Sequence, residues 1–159
     1  MEDSANLNSL VIKRVTAETF DGFLALIVKL AEFEKLAPPS EEASKRLCKD
    51  CLSKKPKFEA YLGKIGEKCV GYVICLFTYS SFQALPTLFL EDFFVLEEYR
   101  RQGIGQKMFD HCKRRAKRKG CVRIEFIVLK WNEGAQKFYA KNKAKPLDWY
   151  FYRLTKEDF

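Results

Sequence analysis

The chain has 159 residues, 47% of them hydrophobic and 14% aromatic, enough to bury one sizeable core, so a single domain over 1–159 is expected. A net charge of +8 excludes an acidic, self-repelling chain and suits an acidic ligand, a nucleic acid or an anionic surface without choosing among them. No run approaches about 20 uncharged residues and the first residues are polar, which predicts a protein that neither spans a membrane nor is exported, placed in the cytosol with its six cysteines as thiols.

In chain order, residues 1–9 are polar and expected to be frayed, and 10–15 read as a first strand. Thr16 is a candidate cap for a helix carrying Phe20, Phe23, Leu24, Ile27, Leu30 and Ala31 at helical spacing, which must stop before Pro38-Pro39. Ser40 caps a second, short helix to about Cys51, with Glu41 and Glu42 where the helix dipole favours anions. Cys48-x-x-Cys51 has no second ligand pair at similar spacing and His111 is the single histidine, so no metal site is expected. Residues 58–64 and 70–79 read as strands joined by a hairpin at Gly66-Glu67-Lys68, and 88–95 as a further strand.

The stretch from Glu91 to Gln106 runs from an apolar strand through a basic, glycine-containing turn into a helix. Arg100-x-x-Gly103-x-Gly105 supplies two residues without Cβ just where a helix begins and its first N–H groups lack partners. Either the glycines only relieve strain in a tight turn, or the turn binds an anion such as a pyrophosphate, helped by the positive helix end and by Arg100 and Arg101. A P-loop is excluded by the missing Gly-Lys-Ser/Thr, and the dinucleotide fingerprint by Met108 in place of its third glycine. Lys113, Arg114, Arg115, Lys117, Arg118 and Lys119 crowd the polar side of the following helix. They read as a solvated face near a helix C-terminus rather than a nucleic-acid surface, because no aromatic residues interleave with them.

After Gly120, residues 122–128 read as a buried strand interrupted by Glu125, which sits either on an exposed sheet face or in a cleft that takes a cation. Asn132 caps a last helix with Ala135, Phe138 and Tyr139, and residues 147–154 read as a closing aromatic strand.

Arg100-x-x-Gly103-x-Gly105 after a strand resembles the acetyl-CoA pyrophosphate loop of the GNAT superfamily of N-acetyltransferases. Leu90 to Val95 before it, and Trp131-Asn132-Glu133 with Gln136-Lys137-Phe138-Tyr139 after it, are similar to the diamine (spermidine/spermine) acetyltransferases and their thialysine-acetylating relatives. The resemblance runs from about Val11 to Leu154. It implies an α/β (α+β) fold with a mixed, mostly antiparallel sheet, helices on both faces and a splayed, V-shaped cleft. It also implies acetyl-CoA as co-substrate, a small cationic amine as acceptor, direct transfer and a homodimer.

By the same resemblance, Phe93, Phe94 and Val95 pair with the pantetheine arm of the co-substrate. Arg100, Arg101, Gln102, Gly103, Ile104, Gly105 and Gln106 hold its pyrophosphate, and Asn132, Glu133, Gly134 and Ala135 complete the cofactor contacts. Phe33, Glu34, Glu91, Asp92, Glu125, Phe126 and Ile127 face the amine. Phe33-Glu34 is equally readable as a solvated helix end, and Tyr139 as a core aromatic.

The chemistry needs a base, since a primary ammonium with a pKa of about 10.4 is free amine in roughly one molecule per thousand or fewer near pH 7. Glu91, beside Asp92, is the candidate base, and Tyr139 the candidate acid for the departing thiolate. After Tyr139 stands Lys141-Asn142-Lys143-Ala144 where the polyamine enzymes have a glycine turn, and only Asp148 precedes Trp149. The amine therefore stays open between polyamines, thialysine-like amino acids and protein lysines, with a non-catalytic CoA-binding module or a nucleic-acid-binding module as the alternatives to an enzyme.

Overall fold

Gly66, at φ 57°, makes the two-residue turn that joins β2 (Glu59–Ile65) to β3 (Lys68–Ser80), so the hairpin lies where the sequence puts it. The computed structural model describes residues 9–159, and the expectation of a frayed start falls almost wholly outside them. β1 (Leu10–Arg14) pairs with β2, and β4 (Leu85–Val95) with β3, all antiparallel; β5 (Arg123–Phe126) adds to β4 in parallel. The result is a five-stranded sheet in sequential order, mixed and mostly antiparallel as expected.

Helices cover both faces. On one lies α1 (Phe20–Glu34), whose Phe23 is fully buried with its ring 5.4 Å from that of Tyr72 on β3. The helix α2 (Glu41–Leu52) joins the same cluster through Cys51. Ser40 caps it by accepting from the Ala43 N–H at 3.1 Å. On the other face lies α3 (Ile104–Arg118), where Ile104 and Met108 pack with Val70 and Val95. Thr16 caps a single 3-10 turn, not the main helix, and α1 ends three residues short of the prolines because Lys35 takes the left-handed conformation at φ 57°.

Part of the basic run on α3 is neutralised. Arg115 forks on to Glu59, with Nε 2.7 Å from Oε2, while Lys113 reaches Asp110 at 3.3 Å. Burial alone would raise the Glu59 carboxyl, but hydrogen bonds from Arg115 and Tyr61 and the charges of Arg115 and Arg14 outweigh it and hold it down at about 2.

The described residues up to Phe126 form one compact unit, and Ile127–Phe159 a second that contains α4 (Glu133–Lys141). The expected closing strand is absent: residues 147–154 have no ladder partner, and Trp149, Tyr150, Phe151 and Tyr152 are exposed. Aromatic content there marks a β-competent segment, but a strand needs a neighbour for its backbone groups, which composition does not supply. Among the described residues all six cysteines are free thiols, no cluster of His, Cys, Asp or Glu could hold a metal ion, and no helix is long and apolar enough to cross a membrane.

Candidate active site

A one-residue bulge in β4 builds the site. Cys75 stands opposite Leu90 and Ile74 opposite Asp92, so Glu91 has no partner on β3. Side chains alternate along a strand, and an inserted residue reverses the faces beyond it. Cys75 contacts Cys112 of α3, which puts Leu90 on the α3 face, whereas Ile74 belongs to the cluster under α1. Asp92 therefore turns to the α1 face together with Phe94, while Phe93 turns to α3 and meets Phe109 at 5.9 Å. Glu91 at the bulge is exposed.

Asp92 is held by the hydroxyl of Tyr72, which donates to Oδ2 at 3.0 Å. Burial pushes its carboxyl up to about 6; the Tyr72 hydrogen bond opposes that, and the charges of Glu91 and Glu34 add to it. The Tyr72 phenol is itself pushed well above its usual range by burial and by Asp92. Glu34, at the end of α1, is raised by burial. Three carboxyl groups thus repel one another around Asp92, and a cation placed among them would relieve that repulsion. Sequence reading assigns no role to Tyr72. The usable signal is a tyrosine inside the apolar run Val70 to Cys75, because a buried phenol must find an acceptor.

Beyond the bulge β4 has an open side. β5 pairs with it only from Thr87 to Leu90, and among the described residues no strand follows along Glu91 to Val95 on that side. The backbone groups of Phe93, Phe94 and Val95 that point away from β3 are placed to pair with an extended ligand chain. This open edge leads into the loop. Arg101 and Gly103 take positive φ, 59° and 82°, and Gly103 begins α3 with no side-chain cap. The first N–H groups of α3, from Gly103 to Gln106, therefore have no intrahelical acceptor and converge on one point at the positive end of the dipole.

The loop arginines diverge. Arg101 is exposed. Arg100 turns back: its Nε donates to the Val95 carbonyl at 2.8 Å, and its guanidinium lies over the rings of Phe33 and Phe94. It ties the loop before α3 to the end of α1 that carries Phe33 and Glu34. Gln102 donates to the Glu98 carbonyl at 2.8 Å.

On β5, Glu125 stands opposite Phe89 and hence on the α1 face, but Arg123 already pairs with it at 2.8 Å. Phe126 points to the other face and packs on Phe109, with centroids 6.2 Å apart, so of this pair only Glu125 shares a face with Asp92. In the second unit Ile127 is exposed, Asn132 caps α4 by accepting from the Ala135 N–H at 3.1 Å, and Glu133 and Gly134 form its first turn. Tyr139 is buried, with its ring 5.2 Å from that of Phe138.

Residues 24–143 match the acetyltransferase (GNAT) family. The chain is 32% identical over 146 residues to the thialysine N-epsilon-acetyltransferase of Bos taurus, covering 84% of this chain and 85% of that one. It is 27% identical to a human spermidine/spermine N(1)-acetyltransferase-like protein, over 92% of this chain but only 23% of that protein. A crystal structure of a probable acetyltransferase superposes with a TM-score of 0.79 at 27% identity, over 91% of this chain and 97% of the other. With the open strand edge, the uncapped helix start and this match over most of its length, the chain belongs to the acetyltransferase (GNAT) family and is an N-acetyltransferase.

Proposed function

We propose that the chain, acting as one N-acetyltransferase domain, moves the acetyl group of acetyl-CoA directly to a primary amine of a small cationic substrate. The observation that carries this reading is the open edge of Phe93 to Val95 running straight into the uncapped start of α3. An extended amide-bearing arm finds strand-like partners on the first, and a pyrophosphate finds converging N–H groups at the second. Acetyl-CoA supplies an acyl group activated as a thioester. A backbone N–H of Phe94 or Val95 polarises its carbonyl, Tyr139 protonates the departing sulfur, and Asn132 to Ala135 contribute further cofactor contacts.

The acceptor is read from charge. In a protein of net charge +8, Glu34, Glu91 and Asp92 gather at one end of α1 and one bulge, which favours a substrate with two positive charges. A thialysine-like amino acid or a short polyamine meets that requirement, and the relatives named above are thialysine and spermidine/spermine enzymes. The free thiols fit a reducing cytosol, and the family resemblance implies a homodimer.

The test is isothermal titration with acetyl-CoA, followed by turnover of spermidine, spermine, putrescine, thialysine and lysine peptides at saturating acetyl-CoA. Saturable binding and acetylation of one diamine-like member are expected. No binding at near-millimolar acetyl-CoA overturns the reading, and binding without turnover of any amine leaves a CoA-binding module in its place. Retention on nucleic acid that falls steeply with salt would identify a nucleic-acid-binding module instead.

A further inference from the structure

We propose that Asp92, positioned by Tyr72, and not the neighbouring Glu91, accepts the proton of the attacking ammonium. The proposal rests on the acetyl-transfer reading above and names the group that makes the amine nucleophilic.

Three geometric facts carry it. The bulge at Glu91 reverses the strand so that Asp92, not Glu91, points to the α1 face, where the end of α1 brings Glu34. The Tyr72 hydroxyl fixes one carboxylate oxygen of Asp92 at 3.0 Å, so the side chain has a defined orientation. Asp92 also lies on the open stretch of β4 immediately before Phe93, which puts it next to the backbone that would hold the acyl donor. Glu91 is exposed, where water screens its charge and its side chain is free to move.

Burial fits Asp92 for the task. A carboxyl raised from 3.8 to about 6 holds a proton about 100-fold more readily than an ordinary aspartate and is still mostly ionised near neutrality. The groups that face it are Tyr72 from β3, Glu91 from its own strand and Glu34 from α1. Tyr72 stabilises the carboxylate, while the two glutamates favour its protonation. The step balances. A proton passes from the ammonium to Asp92, the amine lone pair forms the C–N bond, and the C–S bond breaks. The thiolate takes its proton from Tyr139, the second proton leaves the attacking nitrogen as the amide forms and restores Tyr139 through solvent, and Asp92 returns its proton to solvent after product leaves.

Profiles of kcat/KM against pH report groups of the free enzyme and free substrate, and they separate the two carboxylates. The wild type is expected to lose kcat/KM tenfold per pH unit below about pH 6. Asp92→Asn, nearly isosteric and still able to accept from Tyr72, should drop kcat/KM at pH 7 by about 100-fold or more and abolish that limb. Glu91→Gln should keep the limb, moved slightly to lower pH because the Glu91 charge helps to raise Asp92, with any loss appearing as a higher KM for the amine. Tyr72→Phe removes a hydrogen bond that lowers the Asp92 pKa, so it should move the limb to higher pH and recover activity by pH 8. Titration of Asp92 by 13C NMR should give a midpoint near 6 that rises in Tyr72→Phe, and acetyl-CoA binding by Asp92→Asn should be unchanged. A limb that persists in Asp92→Asn, or vanishes in Glu91→Gln, overturns the proposal while leaving acetyl transfer intact. A wild type that acetylates no amine overturns the underlying reading instead.

Discussion

The guanidinium carbon of Arg100 lies 4.8 Å from the ring centroid of Phe33 and 5.5 Å from that of Phe94, joining the loop that precedes α3 to the last turn of α1. The same side chain donates to the Val95 carbonyl, so the arginine clamps both ends of the candidate site. Lysine cannot reproduce a planar group that stacks and donates at once. Arg100→Lys should therefore cost about 1 to 2 kcal/mol of stability, read by denaturant melts, from one charge-assisted hydrogen bond and two cation–π contacts. It should also raise KM for the amine about three- to tenfold, because the Phe33-Glu34 end is released. An amine KM unchanged in a destabilised protein would leave Arg100 with a purely structural role.

Backbone approach to the loop is testable against a matched control. Gly103 and Gly120 both have positive φ, 82° and 67°, so valine strains either position. At Gly120 an added Cβ meets nothing within 4 Å. Gly103→Val should raise the Kd for acetyl-CoA about tenfold or more in calorimetry. Gly120→Val should destabilise by a similar amount and leave that Kd alone. Equal effects on binding would show that only strain was measured.

The role proposed for Tyr139 separates chemistry from packing. The residue is buried, and phenylalanine keeps its ring, so Tyr139→Phe should leave KM for both substrates within about twofold. Its kcat should fall about tenfold or more at pH 7, the usual scale for loss of a general acid. Steady-state rates equal to the parent would remove the tyrosine from the mechanism.

Glu59 governs acid stability. Its folded carboxyl sits at about 2 against 4.5 when unperturbed, a depressed pKa, so its contribution is complete above about 4.5 and is lost as the pH falls through that range toward 2. The side chain is 12% exposed, and the shift corresponds to about 3 kcal/mol, reduced somewhat because the Arg14 partner is 40% exposed. Glu59→Gln should lower stability at pH 7 by about 2 to 4 kcal/mol, since Arg115 then loses its fork partner, and should flatten the melting temperature between pH 5 and pH 3. A variant with the wild-type acid profile would show that other carboxylates control it.

Local signals in the sequence placed most elements. Ser40 before Glu41-Glu42 located α2, Gly66-Glu67 the hairpin, Gly103-Ile104-Gly105 the start of α3 and Asn132 that of α4, because caps and turns are made by a few neighbouring residues. The end of α1 was set instead by Lys35 in the left-handed region, a conformation that no residue type at that position announces.

By itself the sequence determined most of the strands and helices before residue 147, the glycines of the loop and which carboxylates were available, since these depend on side-chain type and short spacing. Only the tertiary structure decided which carboxylate faces inward. A bulge appears when two strands are paired and one register is a residue longer than the other, and that register turned Asp92 on to Tyr72 and left Glu91 exposed. The structure likewise left residues 147–154 without a strand partner and matched Glu125 with Arg123, because pairing depends on what the fold brings alongside.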